Sequence, residues 1–480
     1  MGHNYGGIVS PRADVVKLGM VDSFDKRHLE WLVSDEEIRL NEFVESNFGK
    51  EYADADQALK ETIAQRLNYA RRFDYGLYAD ADLSNSAIDE LAKVIGIHLG
   101  RKLSTRSKSQ LNCLIANLYR VYSINENLKL SVAMRNGKTV PKRYNPSGVA
   151  NKTLKSLVTA LTTLGFTYHV PGKFDRTYER KSVLPRIAAS ENLIEFLEKQ
   201  HGWNPTIIKF HSTDALVILN SIKGSDGTRN RLDYADTSET LAMSDFIRCY
   251  NEYMSNQEII LFDGWKRFPD MIRMRRTFTD GSWERGGRLF GGEYQKLSKQ
   301  HRKQITINGS STAEVDVKSC HPTMAFAAVG IDWYSKHNRD IYDLSDDHWP
   351  RDIIKKAFNI MLNAKSRAKT VGALNDLSPE EFSTDEGYFV KYKGWAKHIV
   401  QSIEVAYPEL SNIFYADYGN TFMKAEGDIC SQVMKQCMNL DIPVLTHHDS
   451  FICPEQHKET VSKLAHEAFF DVVGVSCVVK

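Results

Sequence analysis

The sequence contains no apolar run long enough to cross a bilayer, so no membrane span is expected. Its opening, Met1-Gly-His-Asn-Tyr-Gly-Gly, lacks a basic region followed by an apolar stretch, which argues against a secretion signal and for a cytoplasmic protein of a bacterium or phage-infected cell. Missing too is any C-x-x-C pair. The seven cysteines, Cys113, Cys249, Cys320, Cys430, Cys437, Cys453 and Cys477, are odd in number and scattered, which excludes a zinc knuckle or a redox motif of that type and favours reduced thiols. No internal repeat and no low-complexity tract is found. A strong net charge is absent as well: 62 lysines and arginines against 61 acids leave +1. That sum hides an acid-rich N-terminal segment and a basic middle, and the distribution bears more on nucleic-acid contact than the total does.

What is present fits a soluble globular chain, with 42% hydrophobic and 26% charged residues. Its 480 residues are too many for one ordinary core, so several domains are expected. We divide it into a helical region 1–100, a basic region 101–200, a helical connecting or thumb-like region 201–270, and a C-terminal part 271–480. In the first, Leu59, Ile63 and Leu67 recur at helical spacing beside acidic clusters such as Asp35-Glu36-Glu37. In the second, an apolar stripe of Leu154, Leu157, Val158, Leu161 and Leu164 predicts a helix that Gly165 stops. An alternating segment broken at Pro171-Gly172 then predicts a hairpin, and a further amphipathic helix runs to Lys199. Helix, basic hairpin and helix make the outline of a winged helix, with Lys173, Arg176 and Arg180 as candidate contacts to a DNA backbone. An ordinary solvated hairpin explains the same residues equally well.

Four segments of the C-terminal part carry candidate chemistry. Trp283 to Gly292 is a glycine-rich stretch in which Arg285 and Arg288 could hold phosphates. Thr312 to Val317 alternates as a strand, placing Asp316 at its carboxyl end before a helix entered at Pro322, where a carboxylate suits a divalent cation. On a predicted helix, Arg351, Lys355 and Asn363 recur at spacings of four and eight, close to one face that could grip a triphosphate. Finally, Ile442 to Cys453 is an apolar strand interrupted by His447-His448-Asp449-Ser450, which predicts a hairpin tip presenting Asp449. Asp316 and Asp449 could then meet on adjacent strands and hold two metal ions for in-line phosphoryl displacement.

In this order the segments resemble the palm and fingers of family A DNA polymerases and of single-subunit phage-type RNA polymerases, over roughly the last 200 residues. Asp316 matches the metal-binding acid of the first palm motif, and Arg351 and Lys355 match the R-x-x-x-K of the fingers helix. The stretch from Glu426 to Lys435 resembles the palm helix, and His448-Asp449-Ser450 has the RNA-polymerase form of the last motif. Glu284-Arg-Gly-Gly-Arg288 resembles the template-contact motif of the RNA polymerases, with glutamate replacing its aspartate.

The resemblance implies an α+β chain with a right-hand palm and fingers in the C-terminal half and a mostly helical N-terminal half containing the winged-helix-like segment. It implies a compact template-directed polymerase of a phage, plasmid or other mobile element. RNA or primer synthesis is the first reading, a DNA polymerase or a non-catalytic replication initiator the alternatives. Mg²⁺, or Mn²⁺ in its place, would sit on Asp316, Asp449 and the Val317 carbonyl. Arg351 and Lys355 would take the triphosphate, Asn363 and His321 would lie near the sugar and base, His448 near the growing end, and Arg285 and Arg288 on the template. DNA, nucleoside triphosphates and replication proteins are the expected partners, and no membrane is. Asn363-Ala364 replaces the family's tyrosine-glycine, and His321 stands where the DNA polymerases carry glutamate, so sugar preference does not follow from the resemblance.

Overall fold

A computed structural model describes residues 70–480 except 125, 127, 134–139, 171–183, 225–227, 262–271, 298, 338, 345–348, 378–382, 385–386 and 389–390. The helix expected around Leu59 and the hairpin residues Lys173, Arg176 and Arg180 lie outside the described residues. The fold is mixed α+β. It gathers into two units, Met1–Asp214 with Gly264–Pro269, and Ala215–Asp263 with Asp270–Lys480. The expected connecting region 201–270 is therefore divided between them.

The first unit runs β1 (Ala70–Arg72), β2 (Leu77–Ala79), α1 (Ala81–Leu99), α2 (Thr105–Ile124), β3 (Lys129–Ser131), α3 (Asn151–Thr163), β4 (Thr167–Val170), β5 (Arg186–Ala189), α4 (Glu191–Glu195) and β6 (Ile208–Phe210). Four strands form a sheet in the order β1-β3-β5-β4, with β1 parallel to β3 and the other pairs antiparallel. Helix α3 buries Leu154, Leu157, Val158 and Leu161 of the expected stripe, with Ala160 beside them and Leu164 buried just past its end. Gly165 follows it at φ +78°, donating its N–H to the Thr162 carbonyl, a conformation that costs glycine nothing. The helix expected to reach Lys199 does so: Ser190 caps α4, and the helix continues with wider π-type turns over Phe196–Gln200.

The second unit contains β7 (Val217–Leu219), α5 (Ser238–Ser255), β8 (Ile259–Ile260), β9 (Ile272–Thr279), β10 (Ser282–Gly292), β11 (Thr306–Ile307), β12 (Ser310–Asp316), α6 (Cys320–Ala328), α7 (Arg351–Asn363), α8 (Arg367–Asn375), β13 (Ser383–Thr384), β14 (Gly387–Tyr388), α9 (Trp395–Ala406), α10 (Gly419–Asn439), β15 (Leu445–His447), β16 (Ser450–Pro454) and α11 (Lys458–Val473). Five strands line up as β15-β16-β12-β11-β8, and a second sheet has the order β10-β9-β7. The glycine-rich stretch is not a loop but strand β10, paired with β9 through several register shifts. Its glycines let β10 lie close on β9, since a Cβ on Gly291 would strike the Arg273 carbonyl and one on Gly287 would press on Phe278, while a Cβ on Gly427 of α10 would strike the Gly287 carbonyl oxygen, so helix and strand backbones touch there. That contact sets α10 against the strands which carry Arg276, Arg285 and Arg288.

Candidate functional site

Antiparallel pairing of β12 with β16 sets Asp316 opposite Ser450, and the Val317 N–H donates to the Asp449 carbonyl at 3.1 Å. The two aspartates thus stand side by side at one end of the five-stranded sheet. On its other side Asp316 exchanges backbone hydrogen bonds with Lys480, N to O at 3.2 and 3.0 Å. Strands β15 and β16 are joined by His448 and Asp449 alone, and His448 takes φ +59° to make the tight reversal. The Cys430 thiol of α10 donates to the His448 carbonyl at 2.9 Å, tying the tip to the helix. Ser450, buried, donates to a carboxylate oxygen of Glu314 at 2.9 Å, and Arg302 pairs with the same oxygen at 2.9 Å.

Beside the aspartates, α10 presents Glu426, which is 2% exposed. One of its carboxylate oxygens accepts from Arg288 of β10 and lies 2.8 Å from His321 Nε2 on α6. Its other oxygen, Oε1, is buried with no hydrogen-bond partner. Burial pushes Glu426 up, but the hydrogen bond from His321 and the charge of Arg288 prevail and hold it below the usual range. Asp449 goes the other way. Burial, then the charges of Glu426 and Asp316, push its carboxyl up to about 6. Burial also raises Asp316 and Glu314 adds to this, against Lys355, Lys299 and Lys480, but Asp316 is exposed and water screens these influences. Burial, then Arg288, lowers His448 to about 4, so this histidine is neutral near pH 7.

Neither Asp316 nor Asp449 has an ion-pair partner among the described residues, whereas the adjoining Glu314 and Glu426 are both paired. Two neighbouring carboxylates, both with raised pKa and neither in an ion pair among the described residues, fit a divalent cation. No group of three or more His, Cys, Asp or Glu side chains forms a ready-made metal cage among the described residues. A cation resting on two aspartates would complete its shell with water or substrate oxygens, the habit of Mg²⁺.

The other expected site residues separate into two sets. Lys355, exposed on α7, acts electrostatically on Asp316 and has no ion-pair partner among the described residues. Arg288, His321 and His448 join the aspartates through Glu426 and their mutual charges. Val317 is buried, its N–H spent on Asp449. By contrast, Arg351 is held by Asp340 at 2.9 Å and packs over the Tyr342 ring. Asn363 donates to the Asn359 carbonyl at 2.8 Å and closes against Gly419, and Arg285 is committed to Asp280 and Asp417. No hydrogen bond or ion pair links Asn363 or Arg285 to either aspartate among the described residues. Glu426 is the site residue to which sequence reasoning assigned no role. Its signal was present: it stands on the stripe Phe422, Cys430, Val433 and Cys437 that α10 buries, where a lone carboxylate needs a partner.

No protein-family model matches the chain, and no curated protein matches it.

Proposed function

We propose that the second unit is the catalytic part of a template-directed nucleic-acid polymerase that transfers nucleotides with two divalent metal ions, RNA or primer synthesis being the first reading. The observation that carries this reading is the pair Asp316 and Asp449, neighbours on paired strand ends, with Asp449 raised to about 6 and neither in an ion pair among the described residues. Bound cations would lower the pKa of an attacking hydroxyl and neutralise a departing pyrophosphate. The protein's own groups do the positioning. Lys355 offers its ammonium to a triphosphate beside Asp316, and Arg351 could join it by leaving Asp340. Neutral His448 can accept or donate a hydrogen bond at the tip without adding charge. Arg288, with its guanidinium on Glu426, fixes the position of α10 behind the aspartates.

The test is nucleotide incorporation on single-stranded DNA, with ribo- or deoxynucleotides in competition and with or without a primer. Wild type is expected to incorporate, while Asp316→Asn and Asp449→Asn should each fall by about 10³-fold or more, since each removes a metal-binding charge. Wild-type rates in either variant would sink the reading. Preference for deoxynucleotides would replace RNA synthesis by the DNA-polymerase alternative, and sequence-specific DNA binding without incorporation would favour an initiator.

A further inference from the structure

The first unit carries a charge asymmetry that the proposed chemistry does not use. Between residues 91 and 170 there are thirteen lysines and arginines and one acid, Glu126, so the near-neutral chain total conceals a strongly cationic segment. Helix α3 lies in this segment and has no carboxylate at all. Opposite its buried stripe, one continuous face exposes Lys152, Lys155, Thr159 and Thr163, with Ser156 half-exposed between them. Every group on that face can donate a hydrogen bond and none carries negative charge.

The helix is also rigidly presented. Buried Asn145 accepts from the Val149 N–H and donates to the Val149 carbonyl, each at 2.9 Å, while Gln110 of α2 accepts from the Ala150 N–H at 3.1 Å. These bonds fix the turn that enters α3 at Asn151. The chain runs α2, β3, α3, β4, β5, and the sheet of this unit has the order β1-β3-β5-β4. In that arrangement α3 buries one face and leaves the face of Lys152, Lys155 and Thr159 uncovered.

We infer that the first unit is a duplex-DNA-binding module that lays the exposed face of α3 in the major groove. Width argues for DNA over RNA: a B-form major groove admits an α-helix, whereas the A-form groove is too narrow and deep. Lys152 and Lys155 are assigned to phosphates flanking the groove, and Thr159 and Ser156 face the base edges. This inference stands apart from the catalytic reading, since it uses none of the same residues.

The experiment is fluorescence anisotropy of the full-length protein with a labelled 30-base-pair random-sequence DNA duplex, the matching RNA duplex, and a salt series. Tighter binding to the DNA duplex is expected. In Lys152→Ala/Lys155→Ala the affinity should fall at least about tenfold at 0.1 M salt, and the slope of log affinity against log salt should shrink by about 2. Both lysines are exposed, and an unchanged melting temperature will show that the variant folds. Equal or tighter binding to RNA, or an unchanged slope in the double variant, would overturn the assignment. Lys463→Ala on α11 of the second unit, tested alongside, should bind the DNA duplex as wild type does. Loss of duplex binding in that variant would move the binding to the second unit and also overturn the inference.

Discussion

Asp449 is a residue whose fold works against its own charge. Its carboxyl, near 3.8 in an unfolded chain, is raised to about 6 by burial and by Glu426 and Asp316. The folded protein therefore holds that proton more tightly than the unfolded chain. Asp449 favours the fold at low pH, and the advantage is lost as pH rises from about 4 through about 6. At pH 7.5 without divalent cations the ionised carboxylate costs on the order of 1–2 kcal/mol, allowing for its partial solvent access. Asp449→Asn keeps the shape and removes the charge, so the metal-free variant should melt a few degrees above wild type and lose the rise that Mg²⁺ gives wild type. Calorimetry with and without 10 mM MgCl₂ checks both, and a variant that melts lower or keeps the full Mg²⁺ response would contradict the assignment. The same proton must leave before a cation binds. Apparent Mn²⁺ affinity in wild type should therefore climb about tenfold per pH unit below 6 and level off above it, as read by titration calorimetry.

Between elements, the contact that matters most is the one without side chains. Helix α10 reaches β10 because Gly427 lies directly on the Gly287 carbonyl, and Gly287 itself has φ +83°. Gly427→Ala would force helix and strand apart and should cost about 2–4 kcal/mol, measurable as a lower urea midpoint with little change in slope. A loss below about 0.5 kcal/mol would show that the helix shifts freely. This joint was hard to read in the sequence. Four glycines in ten residues suggest a turn, whereas Gly286, Gly287 and Gly291 take positive φ and lie close on β9, and Gly427, 140 residues after Gly287, packs against the same strand. Local signals did better where chemistry is local. The alternation before Asp316 yielded β12, the polar break at His448-Asp449 yielded the hairpin tip, and the α3 stripe yielded a buried helix face. Side-chain commitments were least readable. Arg285, Arg351 and Asn363 look alike as candidate ligands in sequence, but their partners Asp417, Asp340 and Gly419 are set by tertiary packing.

Across the whole molecule, the first unit is cationic and the second bears the paired aspartates, which on the proposed readings would hold a duplex and react at a strand end. Their chain histories differ as well. Hairpin β15–β16 closes through two residues and can form within microseconds. Strand β12 pairs with the same β16 only after the chain has returned across 133 residues, counted from Asp316 to Asp449, and through α6 to α10. Closure of so long a loop is paid in entropy before any contact rewards it, so this pairing should complete after the rate-limiting barrier of folding. Divalent cations would then have nothing to hold until the native state is reached. Stopped-flow measurements should find that Mg²⁺ slows unfolding and leaves the refolding rate unchanged, and a refolding rate that rose with Mg²⁺ would mean the aspartates meet early. On the proposed reading, a nascent or damaged chain that has not closed β12 onto β16 would hold neither metal nor nucleotide.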